Sequence, residues 1–403
     1  MNWFTYPFTV FQYRNFTFVW SSTTLVGIGT QMEAVVLGWY ILAVTESPVL
    51  VGLISAARMS LNVFALFAGA VADRVPRNKL LAVVEFTMAF LAILMLGLIV
   101  TGILQMWHIF FIAVITGMVR VFQIPSAQSL VADTLPQDRI PNGAAFNTLG
   151  RNIAMVAGPL VGGILYKKMG PQGAFVAIAI LYFVSGWFAW LITSRQNNLK
   201  VNSEPVIKDV ISGVKYVKGE QVLWATLVVA LIIESAGWTF HTTLVPIYAW
   251  SVLNTDSAGL GLLLFAFGCG SVLGSVGWAF IPNLSHVGKL MFAAVIFWHC
   301  SILIFSTTSS FYLSMCILIA VGAGFGSTQV FMLSALLGTA MAEYRGRVMS
   351  LRSMAIYAFA LGSIFTGAMA GIWGAQLAAI ITGLLGLIFI ILLIIVAPKL
   401  RSL

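Results

Sequence analysis

The chain has 403 residues, 60% of them hydrophobic and only 8% charged, and it carries a net charge of +9. A soluble domain carries about 25% charged residues, and the apolar runs of roughly 20 residues that recur along nearly the whole length are the signature of membrane-crossing helices. A nucleic-acid reading of the positive charge is excluded because the basic residues sit in a few short loops between those runs. Runs this long must satisfy their own backbone hydrogen bonds in lipid, which makes them helices rather than barrel strands. Cys269, Cys300 and Cys316 all fall inside apolar runs and read as small buried hydrophobes, with no metal-ligand spacing among them. The aromatic N-terminus, "MNWFTYPFTVFQYRNF", lacks a small-residue cleavage site and does not read as a cleaved signal peptide.

In chain order the apolar runs predict about twelve spans, over 17–42, 49–72, 79–101, 108–131, 141–165 and 172–193, then 222–250, 257–281, 288–307, 311–338, 346–370 and 373–396. The loops alternate in charge. After every even-numbered span come basic residues: Arg74, Arg77 and Lys79; Arg139; Arg195 through Lys218; Lys289; Arg345 and Arg347. The opposite loops hold Lys167 and Lys168. By the positive-inside rule both termini lie in the cytoplasm.

These runs divide into a six-helix bundle over residues 1–193, a polar linker over 194–221 and a second six-helix bundle over 222–403. Within the linker, "EPVIKDVISGVKYVKG" places apolar residues at helical spacing with basic residues between them, which suits an amphipathic helix on the inner leaflet or a plain tether with a short helix. A shift of about 208 residues lays Gly69 on Gly277, Gly29 on Gly237, Tyr40 on Tyr248 and Arg139 on Arg347, the pattern of a parallel internal repeat.

"GAVADRVPRNK" concentrates charge between spans two and three: Gly69, Asp73, Arg74, Arg77 and Lys79. This stretch resembles the signature loop of the major facilitator superfamily, with Pro76 in place of the second glycine of the pattern and Asn78-Lys79 in place of its basic pair. "FQYRNF", "AGPLVGGILY" and "RGRVMSL" make the chain similar to the branch that contains the enterobactin exporter and macrolide efflux pumps. The resemblance implies an all-α membrane protein, with twelve helices in two pseudo-symmetric bundles and alternating access to a central cavity lined by spans one, four, seven and ten. For the loop it implies a gating latch around Asp73; the alternative is that these charges only fix topology. For Gly158, Pro159, Gly162 and Gly163 of span five it implies the antiporter motif, a helix pivot against span eight, whose own glycines are Gly268, Gly270 and Gly274. Static packing is the alternative.

Charges inside spans cost several kcal/mol unless paired or hydrated. The chain places Glu33, Glu85 and Glu234, and Arg58, Arg120 and Arg151, in such positions. Glu33 and Arg58 fall at similar depths, roughly 14 Å from the outer face at 1.5 Å per residue, and could pair. Arg120 lies mid-span four, where it resembles the embedded arginine of proton-coupled antiporters. Glu234 lies mid-span seven, with His241 seven residues on along about the same α-helical face. Glu33, Arg58, Arg120, Glu234 and His241 are therefore candidates for proton coupling, and Trp39, Tyr40 and Trp238 for the walls of an apolar substrate cavity. Glu85, about 9 Å from the inner face, reads as a latch or structural acid.

The leading expectation is a secondary transporter of the bacterial inner membrane, exporting small amphipathic molecules of siderophore or drug type against protons. Import in the same fold is an alternative, with a membrane enzyme or a non-transporting sensor more remote. The expected partners are a small-molecule substrate, protons and the bilayer, with the chain acting as a monomer. No cofactor is called for: there is no Walker loop, and His108, His241, His286 and His299 are scattered rather than clustered for catalysis.

Overall fold

The computed structural model describes residues 7–59, 75–193, 206–279, 281 and 285–403. Its long helices are α1 Arg14–Thr45, α2 Pro48–Ala57, α3 Arg77–Val100, α4 Met106–Arg120, α5 Gln123–Thr134 and α6 Ile140–Leu191 in the first half. The second half has α7 Val206–Gly219, α8 Gln221–Ile232, α9 Val245–Ser251, α10 Ser257–Ala279, α11 Val287–Ser306, α12 Phe311–Thr339, α13 Arg345–Met354, α14 Ile356–Trp373, α15 Ala375–Val396 and a short α16 Pro398–Ser402. Among the described residues, ten helical stretches are long and apolar enough to cross a membrane. One of them, Gln137–Leu191, is two helices joined at a bend, and Pro48–Ala57 is a shorter apolar helix, roughly in accord with twelve spans. Gly69, Asp73 and Arg74 lie outside the described residues.

Breaks in the spans have identifiable causes. The α4–α5 interruption falls at Val121–Phe122, one turn before Pro125. Proline has no N–H for the carbonyl four residues back, and its ring collides with that turn. Span seven passes through two π-helical segments, Ile233–Trp238 and Phe240–Leu244, just ahead of Pro246. For the second segment, the missing donor leaves the Thr242 carbonyl without its i+4 partner and favours the wider i→i+5 register. The bend in α6 is Gly170, at φ 68° and ψ −174°, and Gly374 turns the chain between α14 and α15 at φ 84° and ψ 162°. A side chain would strain both positions.

Two compact units emerge. The first joins Met1–Leu37 with Ala57–Asn202, and the second joins Gly38–Ala56 with Ser203–Leu403. Compactness thus cuts α1 near Gly38, whereas the sequence reading keeps residues 1–193 together. The physical reason lies in the second unit, where α2 crosses α14 at glycines. A β-carbon on Gly52 would stand 3.1 Å from the Gly367 Cα, so the backbones touch directly. Trp39 packs edge-on against Trp250 at 5.2 Å in the same unit.

At one end of the first unit, Phe16, Val19, Leu81, Leu130, Val131, Phe146 and Ile192 form a closed apolar cluster. In the second unit α10 and α12 lie flush, since Gly270 and Gly274 face the Ile319 and Ala323 carbonyls, and Gly322 and Gly326 face those of Phe267 and Ser271. The linker helix α7 docks on the region before α13: Tyr216 stacks on Tyr344 at 4.1 Å, and its hydroxyl accepts the Met341 N–H at 3.0 Å. Cys316 is exposed rather than buried, since an apolar span presents one face to lipid.

Gly170→Ala should cost about 1 kcal/mol or more, because alanine resists positive φ. Gly97→Ala, in α3 with open space around the position, should be neutral or slightly stabilising. Thermal unfolding of both variants in detergent checks the contrast.

Candidate functional site

In the first unit a carboxylate lies among apolar helices. Glu33, on α1, is 5% exposed. Tyr182, on the second limb of α6, is 1% exposed and donates its hydroxyl to Glu33 Oε2 at 2.6 Å, with the Thr30 hydroxyl 3.4 Å away. Gly29 makes room for the ring, since a β-carbon there would meet Tyr182 Cε1 at 2.7 Å. Around the pair, Met88, Leu91 and Met95 of α3, Ile112 and Thr116 of α4 and Phe175 of α6 enclose a cavity of about 10 Å³, room for a single water.

Two arginines share this neighbourhood. Arg58 donates to the Thr30 carbonyl at 3.3 Å, and the backbone at Arg58 packs flush on Gly117 of α4. Arg120 closes the last turn of α4 and lies within electrostatic reach of Arg58, Tyr182 and Glu33. Among the described residues Glu33 takes its hydrogen bond from a phenol, not from either guanidinium. The direct Glu33–Arg58 pairing expected from depth is therefore replaced by a relay through Thr30, whose carbonyl holds Arg58 while its side chain approaches Tyr182.

The second unit separates Glu234 from His241. Both lie in π-helical segments, where each turn holds more residues than an α-turn, so the expected common face is lost. Glu234 feels Arg352 of α13, which donates to Gln329 Oε1 of α12 at 2.6 Å. His241 instead stacks on Phe267 at 3.9 Å and lies 4.9 Å from Trp238, which stacks on Phe325 at 5.0 Å. This is an aromatic wall more than an acid–base pair. Trp39 is 6% exposed and Tyr40 half-buried.

The charged loop is visible in part. Arg77, at the start of α3, donates to both Asp133 oxygens at 2.9 and 3.1 Å, tying α3 to the end of α5, while Lys79 is exposed. Asp133 was missed from sequence, although an acid beside "TLPQDR" at a span end was the available signal. Tyr182, Gln329 and Arg352 were missed as well.

Within the first unit the span-five glycines pack on α1. A β-carbon on Gly158 would lie 2.6 Å from Gln31 Cβ, and one on Gly162 would lie 3.0 Å from the Met32 Cα. Gly158, Pro159, Gly162 and Gly163 are all buried. Within the first unit Gly158 and Gly162 pack on α1, and within the second unit Gly270 and Gly274 of span eight pack on α12. Small residues are used wherever backbones approach, whichever helix does the approaching.

A family profile described as transmembrane secretion effector matches residues 5–402. The chain belongs to this family of major facilitator transporters. It is a multi-pass membrane protein of a transporter family, not an enzyme. It is 20% identical to the Staphyloferrin A transporter of Staphylococcus aureus, over 64% of this chain and 65% of that protein. It is 28% identical to the Multidrug resistance protein MdtG of Enterobacter lignolyticus, over 69% of this chain and 64% of that one. The match thus spans just under two thirds of each relative. Solved structures agree on the fold: a bacterial homolog of the human lysosomal transporter Spinster has a TM-score of 0.72 at 14% identity, covering 96% of each chain. The nucleoside transporter NupG D323A mutant has a TM-score of 0.74 at 13% identity, covering 94% of this chain and 99% of that one.

Gly158→Leu should overpack the α1 contact and destabilise the first unit by about 1–3 kcal/mol. Gly346→Leu, at a position with open space, is the control. Unfolding midpoints of the purified variants check it, and equal midpoints would count against a close α1–span-five contact.

Proposed function

We propose that the protein is a proton-coupled exporter of small amphipathic molecules, acting as a monomer in the bacterial cytoplasmic membrane with both termini inside. The observation that carries this reading is the buried Glu33–Tyr182 pair, with Arg58 and Arg120 around it. Coupling needs an acid whose two protonation states are nearly balanced. Apolar walls, the Tyr182 hydroxyl and nearby guanidinium charge all act at Glu33. A small movement of α4 relative to α1 changes that balance, and this is the differential interaction that alternating access requires.

Substrate enters the same scheme by charge and by aromatic surface. When Glu33 is neutral, Arg120 is available to an anionic group on the cargo. Half-buried Trp238 and Phe325, backed by the buried His241 and Phe267, supply a flat apolar wall in the second unit, suited to a bulky ring system. Glu234 with Arg352 is the second candidate for proton exchange. The names of the relatives, a staphyloferrin A transporter and multidrug resistance proteins, support siderophore-like or drug-like cargo. Asp73 and Arg74, with the observed Arg77–Asp133 tie, form the proposed gating latch on the cytoplasmic side, and the span-five glycines form its pivot.

Glu33→Gln should keep substrate exchange and abolish uphill transport driven by a pH gradient in proteoliposomes. Tyr182→Phe should keep uphill transport but shift its pH profile, because it removes a donor to the carboxylate and leaves the acid in place. Uphill transport surviving in Glu33→Gln would move coupling to Glu234. The sign of the gradient that drives accumulation separates export from import.

A further inference from the structure

A second acid lies in the first unit and takes no part in the proposed cycle. Glu85 of α3 is fully buried. The Ser22 hydroxyl of α1 lies 2.9 Å from both of its oxygens, and the Ser185 hydroxyl of α6 makes a short contact with Oε2. The Ser185 hydroxyl also lies 2.9 Å from the Ser22 carbonyl.

Hydrogen counting decides the state of this cluster. Within 3.0 Å it contains three kinds of contact, Ser22 hydroxyl to Glu85, Ser185 hydroxyl to Glu85, and Ser185 hydroxyl to the Ser22 carbonyl, while the two hydroxyl oxygens lie 3.5 Å apart. The two serines supply two hydrogens. A carbonyl cannot donate, so the Ser185 hydrogen goes to the Ser22 carbonyl. The Ser22 hydrogen goes to the carboxyl group. The remaining contact then needs a hydrogen on Glu85 itself. With an ionised Glu85, either the short Ser185–Glu85 approach or the Ser185–Ser22 approach would set oxygen lone pairs against each other. With a neutral Glu85, Oε2–H donates to Ser185, Ser185 donates to the Ser22 carbonyl, and Ser22 donates back to the carboxyl group. The ring closes with no orphan.

The charged groups nearby do not offset this. The groups acting on Glu85 among the described residues are the two serine hydroxyls. On its own helix, Arg77 and Lys79 lie roughly 12 and 9 Å away along the axis, and Arg77 is held by Asp133 of α5. On α1, Arg14 sits over the Phe18 ring and Glu33 is held by Tyr182 of α6. Arg120 of α4 acts within the Glu33 group, His108 of α4 is tied to the Gln105 N–H, and Arg151 of α6 is exposed. Among the described residues an ionised Glu85 would therefore be a buried charge with no counter-ion, a costly arrangement.

We infer that Ser22, Glu85 and Ser185 form a proton-binding site separate from Glu33, holding a resident proton that clamps α1, α3 and α6 together and is not exchanged during transport. Infrared spectroscopy of the full chain in lipid at neutral pH tests it. A carboxylic-acid C=O band should be present, persist in Glu33→Gln and disappear in Glu85→Gln. Ser185→Ala keeps the acid but removes its acceptor, so the band should move to higher frequency. Absence of any band change in Glu85→Gln, or an unmoved band in Ser185→Ala, would overturn the assignment. Glu85→Gln should also leave the number of protons moved per substrate unchanged, because an amide reproduces the neutral ring. A halved stoichiometry would show that the proton is transported. Should Glu85→Gln fail to fold, the Ser185→Ala band still decides the protonation state.

Discussion

Within a lipid-spanning helix a polar group has no water to fall back on, so each buried donor and acceptor must find its partner in the protein or give up its charge. Much of the structure follows from that constraint. Serine and threonine hydroxyls inside the spans largely return to a carbonyl of the preceding turn, as Thr226, Thr328 and Thr382 do at 2.7 Å. Tyr248 solves a different problem. The last carbonyls of α11 have no helical donors, and the Tyr248 hydroxyl donates to the Thr308 carbonyl at 2.6 Å, with those of Phe305 and Ser306 at 3.3 Å. One phenol thus seals the end of a neighbouring helix.

Side-chain economy of this kind places helices close together, and closeness in turn requires small residues. With lipid as apolar as leucine, helices gain little from hydrophobic contact and must gain from packing. The Gly52–Gly367 crossing, the glycine-lined α10–α12 seam and the span-five contact with α1 are three instances of one solution. Polar links then cluster where glycines admit them. Gly29 admits the Tyr182 ring, and that ring carries the donor for Glu33. Packing and electrostatics are therefore one arrangement: enlarging a glycine displaces a hydrogen bond as well as a contact.

Span limits were readable because hydropathy is a local property, and α1, α3, α10, α11, α12 and α15 end within about three residues of the expected positions. The family was readable from the charged loop and its companions, and the comparison bears it out. The buried acids were also visible, since a charge in an apolar run stands out. Their partners were not. Tyr182 lies about 150 residues from Glu33 and resembles any interfacial tyrosine, and Ser185 resembles any small packing residue. Helical phase failed in span seven, where Pro246 and the π-turns turn Glu234 and His241 toward different neighbours. Hydropathy has no term for a hydrogen bond between distant helices, and α-periodicity has none for a π-turn.

The two acids of the first unit show how little separates a switch from a strut. Both bridge α1 and α6, and both lie against a hydroxyl on α6. Glu33 receives a phenol hydrogen that has no stronger claim on it, and Arg120 acts on it from α4. In the inferred ring Glu85 faces a serine whose hydrogen is directed to a carbonyl, and among the described residues no cation acts on it. Burial is the same for both; the count of available hydrogens and the distance to an arginine differ. In the proposed cycle the first acid exchanges its proton near the α4 break at Val121–Phe122. An acid with one state sits where α1, α3 and α6 must stay together. Geometry that leaves one hydrogen free makes a coupling site, and geometry one hydrogen short makes a fixed joint.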